Sequence, residues 1–156
     1  MTEGAWPAAL LLVMLSLLAV AIGVIMLLVF AQVIGWRTLA KRYPASDASG
    51  ATKGQSDGVV LGAWGWNAPP LRVALDDFGV WLYPRAPFTV AFHNVRLPWE
   101  AVLAVGTRHF MLFDVVEIRY GEGPKARIGF IAGATANEVA SRAAARGALP
   151  LPADEA

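Results

Sequence analysis

The sequence predicts an α+β protein in which one N-terminal transmembrane helix carries a small antiparallel, bent sheet closed by a C-terminal helix. Three observations carry that prediction. Residues 4–36 contain no charged side chain, a stretch well beyond the roughly 18 apolar residues that identify a spanning helix. From Val59 to about Ala132, short apolar runs alternate with polar residues at a period of two and are broken by turn residues, which is the pattern of consecutive strands. Between Thr135 and Gly147 the period becomes helical, and Gly147 with Pro150 stops it.

The apolar run is bracketed by Trp6 and Trp36. At about 1.5 Å of rise per residue the two indoles stand roughly 45 Å apart, close to the thickness of a bilayer with its headgroup layers. Both are therefore expected in the interfacial belts. A cleaved signal peptide would instead have a basic leader and an apolar core of about 7–15 residues. Here Glu3 precedes the run, and the run is too long. Arg37, Lys41 and Arg42 follow it at once, so the positive-inside rule places the N-terminus outside and the C-terminal domain in the cytoplasm, as a single-pass protein of the inner or plasma membrane. Ala19 and Gly23 have the small-xxx-small spacing that lets two helices close into a homodimer, although small residues are common in spans.

Residues 34–43 continue helically, with Trp36, Leu39 and Tyr43 on one side and Arg37, Lys41 and Arg42 on others. That arrangement suits a segment lying at the headgroups, each cation adding about 1 kcal/mol of attraction to anionic lipid. The helical unit thus covers residues 1–43. Residues 44–58 begin with a proline and contain Gly50, Gly54 and Gly58 among small and polar residues. This reads as a flexible linker averaging roughly 20 Å end to end.

Residues 59–147 form the water-facing domain. Strands are expected at 59–66, at 71–75 and 80–82 as a hairpin around Asp76-Asp77-Phe78-Gly79, and at 88–92, 95–97, 101–105, 110–113, 115–120 and 126–131. Gly79 is expected at positive φ. In the closing helix Thr135 and Glu138 form a capping box and Glu138 and Arg142 an i,i+4 pair. Val139, Ala140, Ala143 and Ala144 face inward, and residues 148–156 are expected to fray. A sheet of this kind must bury its apolar face on itself or under the helix, which a half-open barrel plugged by that helix achieves.

Two short motifs, Asp77-Phe78-Gly79-Val80-Trp81-Leu82 and Val95-Arg96-Leu97-Pro98-Trp99-Glu100-Ala101-Val102, stand within this domain. Through them, over roughly residues 59–147, the chain resembles the bacterial pleckstrin-homology-like or GRAM-like domains. The resemblance implies binding rather than catalysis, either of membrane lipid or of protein partners. Lipid-binding members carry several basic residues in the first strand connections, where this chain has Asp76 and Asp77. That departure counts against phosphoinositide-type binding.

The residues themselves point the same way. The chain has no cysteine, which removes disulfides and thiolate chemistry, and its net charge of +1 creates no basic field for nucleic acid. His93 and His109 lack further metal ligands at close spacing, and Asp76 and Asp77 are ordinary turn residues. Gly62, Gly65, Gly121 and Gly123 lead into no helix N-terminus that could cradle phosphate. Ser46, Ser49 and Ser56 fall in the linker, and nothing in the sequence sets the separation of Glu100 and Asp114 that acid–base work would need. No catalytic residue, metal site or cofactor is expected. Trp81 or Trp99 is expected in the core. Trp64 and Trp66 share one face of their strand and are either core or an exposed aromatic patch, in which case they are the candidate interface. The function that follows is a non-enzymatic, membrane-tethered interaction module on the cytoplasmic face, binding a membrane-protein partner or the bilayer. The alternative is an accessory subunit of a larger membrane complex.

Overall fold

In the computed structural model, residues 5–45, 58–61, 66–67, 70–110, 112–122 and 126–151 are described. Helix α1 (Ala5–Val33) is the apolar run, and its 28 residues from Trp6 to Val33 are long and apolar enough to cross a membrane. The hydroxyl of Ser16 donates to the carbonyl of Leu12 at 2.8 Å, so this polar group is satisfied within the helix. The helix ends at Gly35, whose φ of 83° lies in the left-handed region that a side chain disfavours. A second helix, α2 (Trp36–Arg42), starts immediately after it.

The strands are β1 (Val59–Leu61), β2 (Trp66–Asn67), β3 (Leu71–Leu75), β4 (Gly79–Pro84), β5 (Val95–Pro98), β6 (Ala104–Phe110), β7 (Phe113–Arg119), β8 (Arg127–Ile131) and β9 (Leu149–Pro150), with helix α3 (Ala134–Ala145) before the last. Strands β3, β4 and β5 form one antiparallel sheet, and the other six form a second in the order β2-β1-β8-β7-β6-β9. The pairing of β1 with β8 joins the two ends of the domain, so the second sheet depends on contacts distant in sequence. Period-two alternation decides what faces inward. Leu71, Val73, Val80, Leu82, Val95 and Leu97 from the first sheet share a core with Val59, Leu61, Val116, Ile118, Ile128 and Phe130 from the second. Helix α3 adds Ala136, Val139 and Ala143 to that core. These are small side chains that let the helix approach closely.

Several local expectations are corrected. Residues 88–92 are not a strand but a 3₁₀ turn (Phe88–Val90), closed by the Phe88 amide on the Arg85 carbonyl at 2.8 Å and the Phe92 amide on the Phe88 carbonyl at 2.9 Å. Gly79 is not at positive φ. It is required for space, because a Cβ there would run into the carbonyl of Leu97 on the neighbouring strand. The turn is closed instead by the Asp76 carboxylate, which accepts from the amides of Phe78 at 2.8 Å and Gly79 at 2.7 Å.

The capping box of Thr135 and Glu138 does not form. Helix α3 begins at Ala134 with Gly133 as its cap, which places Thr135 inside the first turn where its hydroxyl cannot serve as the N-cap. Val139 and Ala143 are buried as expected, whereas Ala144 is exposed. The helix ends in a Schellman motif: Gly147, at φ 90°, donates to Ala144 at 3.0 Å and Ala148 to Ala143 at 3.1 Å. The tail does not fray at once. Leu149 and Leu151 donate to the carbonyls of Leu103 and Val105, both at 3.0 Å, and lay β9 parallel to β6.

Candidate functional site

The junction between the apolar helix and the domain is the most developed feature of the molecule. Ala31 and Ile34 at the end of α1, with Trp36, Leu39 and Ala40 of α2, belong to the same buried cluster as Phe92 and Val95. The Trp36 indole N–H donates to the His93 carbonyl at 3.1 Å, and its ring meets Phe92 edge-on at 5.5 Å. Phe30 and Phe88 also lie against Phe92, at 6.4 and 6.5 Å between centroids. Beyond α2 the Arg96 amide donates to the Tyr43 carbonyl at 3.1 Å, Pro44 bridges to Val95, and the Ala45 amide donates to Asn94 at 3.3 Å. The first two residues assigned to the flexible linker are therefore attached to the domain, while 46–57 lie outside the described residues.

This corrects the expectation for Trp36. It is 1% exposed, so its ring is covered by protein and is not open to a headgroup layer. The amphipathic face of α2 finds a protein surface of the same apolar character, and the indole N–H finds a carbonyl, so an interfacial position offers it nothing more. Trp6, at the other end of the run, is 74% exposed. Ala19 and Gly23 lie on the exposed surface of α1.

The three cations of α2 are used differently. Arg42 lies over the Tyr43 ring at 5.5 Å. It also helps line a cavity of about 180 Å³ with Leu39, Tyr120 and Glu122. Burial pushes the Tyr120 hydroxyl up to about 12, Tyr43 acting in the same direction and Arg42 against it. Arg37 and Lys41 are exposed and border a second cavity, of about 380 Å³, whose other walls include Pro44, Ala45, His93 and Asn94.

Two polar centres lie elsewhere. Asp76 was expected to be a plain turn residue, but its carboxylate accepts the Trp81 indole N–H at 2.7 Å in addition to the two turn amides, and Arg96 stands 3.9 Å away. The Asp76 backbone carbonyl accepts from the Trp99 indole at 2.9 Å and from Arg142 at 3.1 Å, and the Asp77 carbonyl accepts from Arg146 at 2.8 Å. Partial burial alone would raise the Asp76 carboxyl, but the hydrogen bonds from Trp81, Phe78 and Gly79 with the charge of Arg96 outweigh it and hold the group below its ordinary value. The acidic tip is thus the point where the first hairpin is fastened to α3. The signal in the sequence was an aspartate three residues before a glycine with two tryptophans following, and it identifies a turn without naming its distant partners.

The second centre is Glu117 on β7, only 5% exposed, paired with Arg127 at 3.0 Å and with Arg108 at 3.5 Å on the flanking strands. Sequence reasoning missed it, because an alternating strand gives no hint of which polar position is covered. Asp114 is occupied by His109, whose Nδ1 lies at 2.9 Å, and both are exposed, while Glu100 stands on the 3₁₀ turn Trp99–Ala101. Of Trp81 and Trp99, one of which was expected in the core, both are buried. Trp64 lies outside the described residues, and for Trp66 only its backbone place on β2 is described. Among the described residues no group of three or more histidines and carboxylates is arranged to hold a metal ion.

Compared with protein-family models, with curated proteins and with solved structures, the chain finds no match in any of the three. The class it belongs to is defined by its own architecture: an α+β protein with an N-terminal helix apolar and long enough to cross a membrane, antiparallel sheets, and a C-terminal helix.

Proposed function

We propose that the chain is a single-pass membrane protein whose cytoplasmic, pleckstrin-homology-like domain is a non-enzymatic interaction module, held against the bilayer and docking a membrane-protein partner or the lipid surface. The observation that carries this reading is the shared core at the junction. Ala31, Ile34, Trp36 and Leu39 are buried with Phe92 and Val95, so removing the apolar helix as a leader would strip the domain of part of its interior. Two sheets around one core, antiparallel but for the β6–β9 pairing, with a C-terminal helix packed on them, are what supports the pleckstrin-homology-like reading. The basic residues that follow the apolar run favour the cytoplasm for the domain.

The absence of cysteine from the chain makes the test direct, because an introduced thiol is the only one. Arg85→Cys, at an exposed position of the domain, and Thr2→Cys, before the helix, are each treated with a membrane-impermeant maleimide in intact cells. Labelling of Thr2→Cys alone, with the chain retained in membranes after carbonate extraction, is the expected result. Labelling of Arg85→Cys in intact cells reverses the topology, and release by carbonate removes the anchor. A photo-crosslinker at exposed Phe78 then identifies what the module docks. Co-purification at fixed stoichiometry through the span alone would instead assign the accessory-subunit role.

A further inference from the structure

We propose that the cavity between α2 and residues 93–94 binds the phosphate group of an anionic phospholipid, with Arg37 and Lys41 as its cationic ligands. The inference rests on the membrane-anchored reading above and adds a site and a ligand class to it. Arg37 and Lys41 stand one helical turn apart, at i and i+4, and both border the same cavity of about 380 Å³. That volume is in the range of small-molecule sites, roughly 300–1,000 Å³, and exceeds what a bare phosphate fills.

The electrostatics of the cavity are one-sided. Among the described residues its lining contains Arg37, Lys41, His93 and Asn94 and no carboxylate. Several arginines of the domain have carboxylate partners: Arg96 faces Asp76, Arg108 and Arg127 hold Glu117, and Arg142 reaches Glu138 at 2.6 Å. Arg37 and Lys41 make no ion pair among the described residues. Two like charges held side by side repel each other, and an anion between them turns that repulsion into attraction.

Position selects the source of the anion. Arg37 follows Val33, the last residue of the apolar helix, by four residues, which sets it at headgroup depth if the helix spans. The remaining walls, Ala40, Pro44 and Ala45, are apolar and suit the glycerol end of a lipid. The cavity is also preformed, because both sides are attached to one core. The Trp36 indole holds the His93 carbonyl, and the Ala45 amide holds that of Asn94. Little ordering remains to oppose binding.

The test uses the full chain in non-ionic detergent, titrated with dioctanoyl phosphatidylglycerol, dioctanoyl phosphatidylcholine or inorganic phosphate. The wild type should prefer phosphatidylglycerol over both others. Arg37→Gln with Lys41→Gln should weaken that binding about 25-fold, from roughly 5-fold for each cation removed at the headgroup layer. The charge-keeping swap Arg37→Lys with Lys41→Arg should stay within about 3-fold of wild type, since the attraction of anionic lipid is set by the number of cations at the surface. Near-UV circular dichroism of the tryptophans verifies that each variant is folded. Unchanged binding by the double glutamine variant overturns the site. Equal affinity for phosphatidylcholine overturns the role of charge, and equal affinity for inorganic phosphate overturns the lipid as the source. Carbonate extraction of the same cells keeps the two proposals apart. A chain released by carbonate fails the anchor reading, whereas one retained in membranes without a phosphatidylglycerol preference fails only this inference.

Discussion

Residues 6–23 and residues 27–43 follow each other in the helical N-terminal part of the chain and both carry many apolar side chains, yet they behave oppositely. In the first, every side chain is exposed; in the second, Ala31, Ile34, Trp36, Leu39 and Ala40 are buried. The first is leucine-rich all round and has no face of its own, which is what a helix surrounded by hydrocarbon needs. The second has a glycine break and an amphipathic turn with an aromatic anchor, which is what a helix packed on protein needs. Apolar residues therefore have two different surroundings within one short stretch of chain, an open surface in the first part and the protein core in the second.

The largest effect that would break this comparison comes from the two bracketing tryptophans. Trp36→Ala should cost about 3–5 kcal/mol of domain stability, the range for emptying a large aromatic site. Trp6→Ala should stay within about 0.5 kcal/mol. Denaturation in mild detergent, followed by near-UV circular dichroism, measures both, and equal effects would deny that α2 belongs to the domain.

Next in size is a charge in the exposed stretch. Val20→Arg should disfavour insertion by about 2.5–3.5 kcal/mol, seen as a larger fraction released by carbonate, while the unfolding midpoint of the domain stays where it was. A fall in that midpoint would mean that this part of α1 also packs on protein.

The break between the two stretches is tested by Gly35→Ala, which forces a side chain into a left-handed conformation and should cost about 1–2 kcal/mol. The same change at Gly23, within the uninterrupted helix, should be neutral or slightly stabilising, because open space surrounds its Cβ position.

The smallest effect separates the junction from the rest of the domain by pH. The Asp76 carboxyl is held below its ordinary 3.8 in the folded state. Its contribution is therefore fully present above that value and is lost as pH falls through the lower folded value. Melting temperature should decline on acidification below about pH 4, and Asp76→Asn should flatten the part of that decline due to this group. Trp36, which rests on apolar contacts and a neutral hydrogen bond, should keep its near-UV signal over the first part of the decline.

Much of the domain was legible because its signals are local. Alternation located β3, β4, β5, β7 and β8, and the helical period located α3 with its pair of Glu138 and Arg142. Errors arose where a local signal had two meanings. A glycine in a turn suggests positive φ, but Gly79 is there because the Leu97 carbonyl leaves no room for a side chain. A threonine three residues before a glutamate suggests a cap, but the strand–helix connection starts α3 two residues too early for it, with Gly133 as the cap. Phe88 and Val90 alternate like a strand, yet they lie in a 3₁₀ turn beside the end of α1.

The sequence by itself determined that an uncharged helix of membrane-spanning length precedes a mostly β domain, since hydropathy and periodicity are properties of neighbouring residues. It also determined that Trp36, Leu39 and Tyr43 share a face. Only the tertiary structure decided what that face meets. Whether an apolar surface turns to lipid or to protein depends on which other surface lies within reach, and here that surface is made by Phe92 and Val95, more than fifty residues away along the chain. The same holds for Glu117 and Asp76, whose arginine and tryptophan partners arrive from other strands and from α3.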